Sequence, residues 1–175
     1  MDSIFHGHDV AAGLIYQDAN VKVSAVENTH FNFPVGSPPY GKYTSYSYRF
    51  ETPGRVVVFT GDTGPSSAVT ELANGADVLV TEVTSPEEVV DSQSQAGIWQ
   101  AKTPAEQEGF LRHMHEEHVT PEDVAKMATK AAVKTVVMTH FGPTVTPDDD
   151  YQRYAREAKK YFSGNIVLAK DLMRF

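Results

Sequence analysis

A chain of 175 residues is long enough for one domain with a sizeable core and does not force a second. Its 41% hydrophobic and 22% charged content excludes general disorder. With 15 basic against 23 acidic residues it carries −8, a field that repels phosphate backbones and makes nucleic acid an unfavourable partner for this chain alone.

There is no cysteine, so disulfides and thiolate metal sites are excluded. The opening Met1–His6 lacks the basic start and apolar run of a signal peptide, and no stretch approaches the ~20 apolar residues of a membrane span, so no membrane partner is expected. The cytoplasm is the default expectation. His6-Gly7-His8-Asp9 is a short histidine cluster near the terminus, read here as adventitious.

In chain order, Val21–Val26 alternates in the manner of a half-buried strand. Tyr43–Phe50 does so more clearly, with Tyr46, Tyr48 and Phe50 on one face and Ser45, Ser47 and Arg49 on the other. Thr52-Pro53-Gly54 is a turn, which predicts a hairpin with Arg55–Thr60. The continuous apolar run of Val56–Phe59 suggests a central strand, as do Asp77–Thr81 and Thr135–Thr139. A short helix is predicted after Pro65, through Ala73, ending at Gly75. Thr103-Pro104-Ala105-Glu106, Thr120-Pro121-Glu122-Asp123 and Thr146-Pro147-Asp148-Asp149 each read as a helix start, with a Thr cap, a Pro at the first position and an acid at the third. The second opens a helix with Val124, Met127, Ala128 and Ala131 on one side; another is predicted over Asp150–Phe162. Residues 84–102, rich in Ser, Gln and Glu, read as a loop able to lie over a site, with the only tryptophan, Trp99, as a packing plug. Helices alternating with buried strands predict one layered α/β (α+β) domain over residues 1–175.

Three segments place a useful side chain directly after a strand: Glu27-Asn28-Thr29-His30, Thr60-Gly61-Asp62-Thr63 and Met138-Thr139-His140-Phe141. Strand ends fix the backbone while exposing the side chain. His30, Asp62 and His140 together suit a divalent first-row metal, since imidazole and carboxylate serve zinc, iron or manganese. Each has a plainer reading on its own, as a polar cap or a turn residue bonded to nearby amides. His113-Met114-His115-Glu116-Glu117-His118 spells His-x-His-x-Glu-His at a helix end, but positions 113 and 115 point about 200° apart on a helix, so the two are not expected to share an ion.

Beyond these local readings, the strand pair ending at His30, Ser45–Thr63, Gly75–Val83 and His118–Pro143 resemble the C-terminal half of the metallo-β-lactamase αββα sandwich, in its ribonuclease Z-like and arylsulfatase-like branch. The resemblance implies a metal-dependent hydrolase of an ester, phosphodiester or related bond. It implies His30 and His140 as metal ligands, Asp62 as the aspartate bridging two metals, His118 as the group that stabilises or protonates the reacting phosphate, and Glu82 as its orienting partner. Thr81 stands where the family usually has a histidine. The family's His-x-His-x-Asp-His loop is absent from the sequence. Two protein ligands per metal then remain, where catalytic zinc takes three plus water, so zinc or a similar ion should be held weakly. Two expectations follow for partners beyond a small-molecule or phosphodiester substrate. A complementary N-terminal half would supply the loop; alternatively, an inactive half-fold would self-associate as a homodimer that imitates the full sandwich.

Overall fold

The computed structural model describes residues 7–143 and 151–174. Its elements are β1 (Gly13–Gln17), β2 (Lys22–Glu27), β3 (Tyr46–Glu51), β4 (Val56–Phe59), α1 (Ser67–Leu72), β5 (Val78–Thr84), α2 (Pro86–Gln95), α3 (Ile98–Ala101), α4 (Pro104–Glu116), α5 (Pro121–Lys130), β6 (Thr135–Gly142), α6 (Gln152–Ala158) and β7 (Asn165–Leu168). The strands lie in chain order in one seven-stranded sheet. β1 to β4 pair antiparallel and β4 to β7 parallel. Parallel neighbours need crossovers, and the helices between β4 and β7 provide them. The α/β reading holds.

This topology decides where the site forms. β2 is antiparallel to β3, and β3 to β4, so β2 runs with β4, β5 and β6. Their carboxyl ends therefore share one edge of the sheet, the edge where open α/β sheets present functional groups. His30, Asp62, Glu82 and His140 all belong to the last turns or exits of those strands.

One face of the sheet is covered. Val58, Leu79, Val136 and Met138 pack with Val69 of α1, Val124 and Ala128 of α5 and Ala158 of α6. The opposite face carries an apolar row in register across five strands: Ala25, Tyr48, Phe59, Val80 and Val137. Phe59 is 44% exposed there, and Tyr16, opposite Val23 on the same face, is 53% exposed. The aromatic side of the predicted hairpin thus faces away from the helices, while Ser47 is buried and Arg49 reaches the carbonyls of Leu72 and Asn74 at the end of α1.

The helix starts read from Thr-Pro pairs are realised. Thr103 and Thr120 both form reciprocal capping boxes, with Glu106 and Asp123. Thr146–Asp149 lies outside the described residues, and the helix expected over 150–162 is α6. Residues 84–102 differ from expectation: they are mainly α2 and α3 rather than loop. Ser85 caps α2 by accepting from the Glu88 amide, Pro86 occupies the first position, and Glu87 and Glu88 favour the helix dipole. This is the same capping grammar, hidden by a polar composition. Trp99 does pack as expected, edge-on to Phe110 of α4 at 5.9 Å. β1, which alternation does not mark, is added at the sheet edge.

The loop after β4 is pressed against the end of α4. A Cβ on Gly64 would lie 1.8 Å from the Glu116 carbonyl oxygen. Gly64→Ala is therefore expected to destabilise the chain by about 1–3 kcal/mol, the usual range for overpacking, measured by urea unfolding. An unchanged midpoint would contradict this close approach.

Candidate metal centre

Asn28 and Ser47 fix the β4 exit: Asn28 Nδ2 and Ser47 Oγ both donate to the Thr60 carbonyl, at 3.1 and 2.6 Å. Gly61 follows with φ +60°, a left-handed turn that glycine adopts at little cost. Asp62 emerges next, half-buried. Thr63 is tied down beneath it, its amide donating to Glu82 Oε1 at 2.6 Å.

Glu82 is 3% exposed and joins two parts of the site. Its second oxygen, Oε2, lies 2.7 Å from His118 Nδ1. The β5–β6 register shifts around Glu82, between Thr81 and Val83. Such an irregularity re-aims side chains at a sheet edge. On β6 the same region holds His140 at φ +46°, an uncommon conformation for a non-glycine residue. Its imidazole is 70% exposed, and its Nε2 lies 3.4 Å from Asp62 Oδ2.

Among the described residues, His30, Asp62 and His118 form a group whose ligand atoms all lie within 4.8 Å of one another. His30 Nδ1 is 3.2 Å from the Glu117 carbonyl, and His118 Nδ1 is occupied by Glu82, so each ring has its Nε2 to offer. Two imidazoles anchored through the far nitrogen, beside a carboxylate, are donors that fit a divalent first-row cation. His140, the third residue expected as a ligand, approaches Asp62 but does not belong to this group. His118, expected beside the metal ligands, lies within ligand distance of two of them.

Burial works against a charged His118, but the hydrogen bond and negative charge of Glu82, with Asp62 and Glu117 behind it, prevail and raise its pKa above the ordinary histidine value. Within this coupled pair, the rise at His118 follows from three carboxylates surrounding one ring.

The His-x-His-x-Glu-His string divides in space. His115 is exposed, whereas His113 turns toward the site: its ring is 4.9 Å from that of His118 and 6.5 Å from that of His30, centre to centre. Glu117, 1% exposed, brings Oε2 to 3.1 Å from His113 Nδ1. Helical spacing does not reveal this pairing, because α4 ends between His113 and His118 and the chain turns back on itself. At the terminus, His8 and Asp9 are exposed and His6 lies outside the described residues.

A mixed sheet with helices on one face and a His/Asp cluster at the carboxyl edge defines a class. The chain belongs to the metallo-β-lactamase superfamily of metal-dependent hydrolases: the family model described as the beta-lactamase superfamily domain matches residues 5–141. Its relatives place it in the ribonuclease Z-like branch. It is 30% identical over 167 residues to ribonuclease Z of Mycobacterium tuberculosis strain H37Rv, covering 95% of this chain and 52% of that protein. Against ribonuclease Z of Bacillus velezensis it is 35% identical over 120 residues, covering 69% and 32%. The fold is shared with the metallo-β-lactamase fold protein YhfI of Bacillus subtilis, at TM-score 0.58 and 17% identity over 90% of this chain and 50% of that one. The matches span between about a third and two thirds of the length of these relatives.

In the metal-free chain, Glu82→Gln is expected to lower the His118 pKa, since it removes the ring's nearest negative charge. Nitrogen-15 NMR titration of the imidazoles checks this. A His118 titration that does not move would mean that Glu82 does not govern the ring.

Proposed function

We propose that this chain forms the catalytic edge of a metal-dependent hydrolase acting on a phosphodiester or ester. The grouping of His30, Asp62 and His118 donor atoms within 4.8 Å carries the reading. His30 and His140 serve as ligands on either side of Asp62, the carboxylate that links them. A divalent cation held there, zinc or another first-row ion, supplies Lewis acidity toward the phosphoryl or carbonyl oxygen. His118 works from its Nε2: Glu82 holds Nδ1 and fixes the ring, so the opposite nitrogen is directed to the reacting group and delivers a proton to the leaving oxygen. The Glu82 carboxylate, which raises the His118 pKa against the effect of burial, supports that role by favouring the protonated ring.

The remaining ligands come, in this proposal, from a stretch bearing the His-x-His-x-Asp-His loop, either covalently joined or as a separate chain. The −8 charge favours a small phosphodiester or ester over a polynucleotide for this chain acting alone. The His30–Asp62 cluster is expected to bind zinc or manganese measurably, and Asp62→Ala to abolish both metal uptake and any hydrolysis of bis(p-nitrophenyl) phosphate. Elemental analysis after gel filtration is the check. Metal content that survives the substitution intact would remove the basis of this reading.

A second reading is favoured by the open sheet face. Phe59, 44% exposed, and Tyr16, 53% exposed, lie on this face beside Tyr48 and Val80, and an exposed apolar patch drives association. Two copies paired through this face, with two-fold symmetry, would approximate a two-sheet sandwich. Light scattering at micromolar concentration is expected to give a dimer, and Phe59→Asp a monomer that retains its circular dichroism. A monomeric parent chain would rule out self-pairing.

A further inference from the structure

The loop between β2 and β3 has a feature that the metal centre does not use. Its neck is closed by the Asn28 amide, which donates to the Ser45 carbonyl at 2.9 Å. Inside it, the amides of Asn32, Ser37, Tyr40 and Lys42 each donate to a carbonyl three residues back, so the backbone bends in successive turns. Pro34, Pro38 and Pro39 fix backbone angles along the way. A surface loop closed at its neck and held by its own turns is the kind of segment that carries function.

Three rings gather on it. Phe31 stacks on Phe33 at 5.8 Å between centres and 18° from parallel, and Tyr43 meets both, at 5.8 and 6.3 Å. These are favourable aromatic geometries. Rings that served only to hold the loop together would be out of water. Instead Tyr43 and the neighbouring Tyr40 are each more than half exposed, and Phe31 more than a third. An exposed apolar cluster of this kind marks a surface that binds something. The rings line a cleft of about 570 Å³, within the roughly 300–1,000 Å³ of small-molecule sites.

The position and charge of the cleft narrow its occupant. Thr29 and Phe31, which line it, flank His30 in the chain, and the Phe31 ring lies 4.9 Å from the His30 ring, centre to centre. Pro65 and Ser66, also in the lining, close the loop that carries Asp62. The two segments that bring His30 and Asp62 to the metal centre therefore also form the cleft. Among the described residues that line it, Glu27 is the only charged one, and no Lys, Arg or His is present. A phosphate or carboxylate seated there would face a carboxylate with no cation to offset it. A flat uncharged ring instead finds aromatic faces and edges to stack on.

We infer that this cleft is the specificity pocket of the site: it holds a planar, uncharged aromatic group carried by the ester, with the ester bond presented to His30, Asp62 and His118. The assignment of that ring to a substrate rests on the hydrolase reading above; the preference of the cleft for it does not. Phe31 and Tyr43 are then specificity-determining residues, and Phe31 joins the pocket to His30.

Amide NMR of the nitrogen-15-labelled 175-residue chain, prepared metal-free, tests this with 2-naphthol as the probe, so that the readout depends on neither an ion nor turnover. Saturable shifts are expected at the amides of Thr29, Asn32, Ser66 and Ala68. Tyr43→Ala should weaken 2-naphthol binding about 10-fold or more, the usual effect of removing a stacking ring, and cyclohexanol, apolar but not flat, should bind the parent more weakly by a similar factor. Tyr16→Ala, which removes an exposed ring on the open sheet face, should change nothing, and the amide spectra show whether each variant is folded. Adenosine in a parallel titration separates a nucleobase from a simple aryl group: tighter binding of either assigns the ring to that source. Shifts that gather around Tyr16 and Phe59, equal binding of the two alcohols, or a Tyr43→Ala chain that binds as the parent does would each overturn the inference. Metal uptake that Asp62→Ala abolishes, in a chain that takes up no 2-naphthol, leaves the hydrolase reading intact and removes this one. The reverse, 2-naphthol in the cleft and metal uptake indifferent to Asp62→Ala, upholds the aromatic cleft and removes the hydrolase reading.

Discussion

Much of the site depends on one buried carboxylate. Glu82 is 3% exposed, and removing a charge from water is expensive unless good hydrogen bonds replace the lost hydration. Both oxygens are satisfied, one by the Thr63 amide and the other by His118. The first bond anchors the loop that carries Asp62, and the second orients the imidazole facing that loop. A single side chain on β5 therefore sets the distance between a residue after β4 and a residue before α5. Hydrogen bonds to an ionised group are the strong, directional ones, which suits a joint between three separate segments.

Strand direction is the second constraint. With β2, β4, β5 and β6 running the same way, four short exits converge on one edge without any long loop. The other end of α4 contributes by crowding: Gly64 admits the Glu116 carbonyl at a distance that no side chain would allow. That contact brings the α4 terminus, and with it His113, Glu117 and His118, over the Asp62 loop. The sheet is asymmetric in a way that matters to partners. One face is closed by helices through Val58, Leu79 and Met138, and the other exposes Tyr16 and Phe59.

Much of this was legible in the sequence because the signals are local. The hairpin of β3 and β4 follows from alternation around Thr52-Pro53-Gly54, and α4 and α5 follow from Thr-Pro caps. His30 and Asp62 were readable as strand-exit residues, and the structure brings their donor atoms together with that of His118. Two things were not legible. Residues 84–102 have the composition of a loop, and Ser85-Pro86-Glu87-Glu88 carries its helix start in capping chemistry rather than in apolar periodicity. His113 was set aside because helical geometry separates it from His115; its true neighbour, His118, lies beyond the helix end, where periodicity no longer predicts direction. Which face of the hairpin is buried was also hidden. The aromatic side of β3 turned outward because Ser47 and Arg49 bond inward to Thr60 and to the end of α1.

The central claim is that side chains from three separate segments, His30, Asp62 and His118, meet to hold a cation. Anomalous diffraction at the zinc edge, from crystals of the chain grown with zinc, tests it most directly. The account predicts a peak enclosed by His30, Asp62 and His118. Zinc peaks confined to surface carboxylates or to His8, with nothing at the carboxyl edge of the sheet, would contradict it.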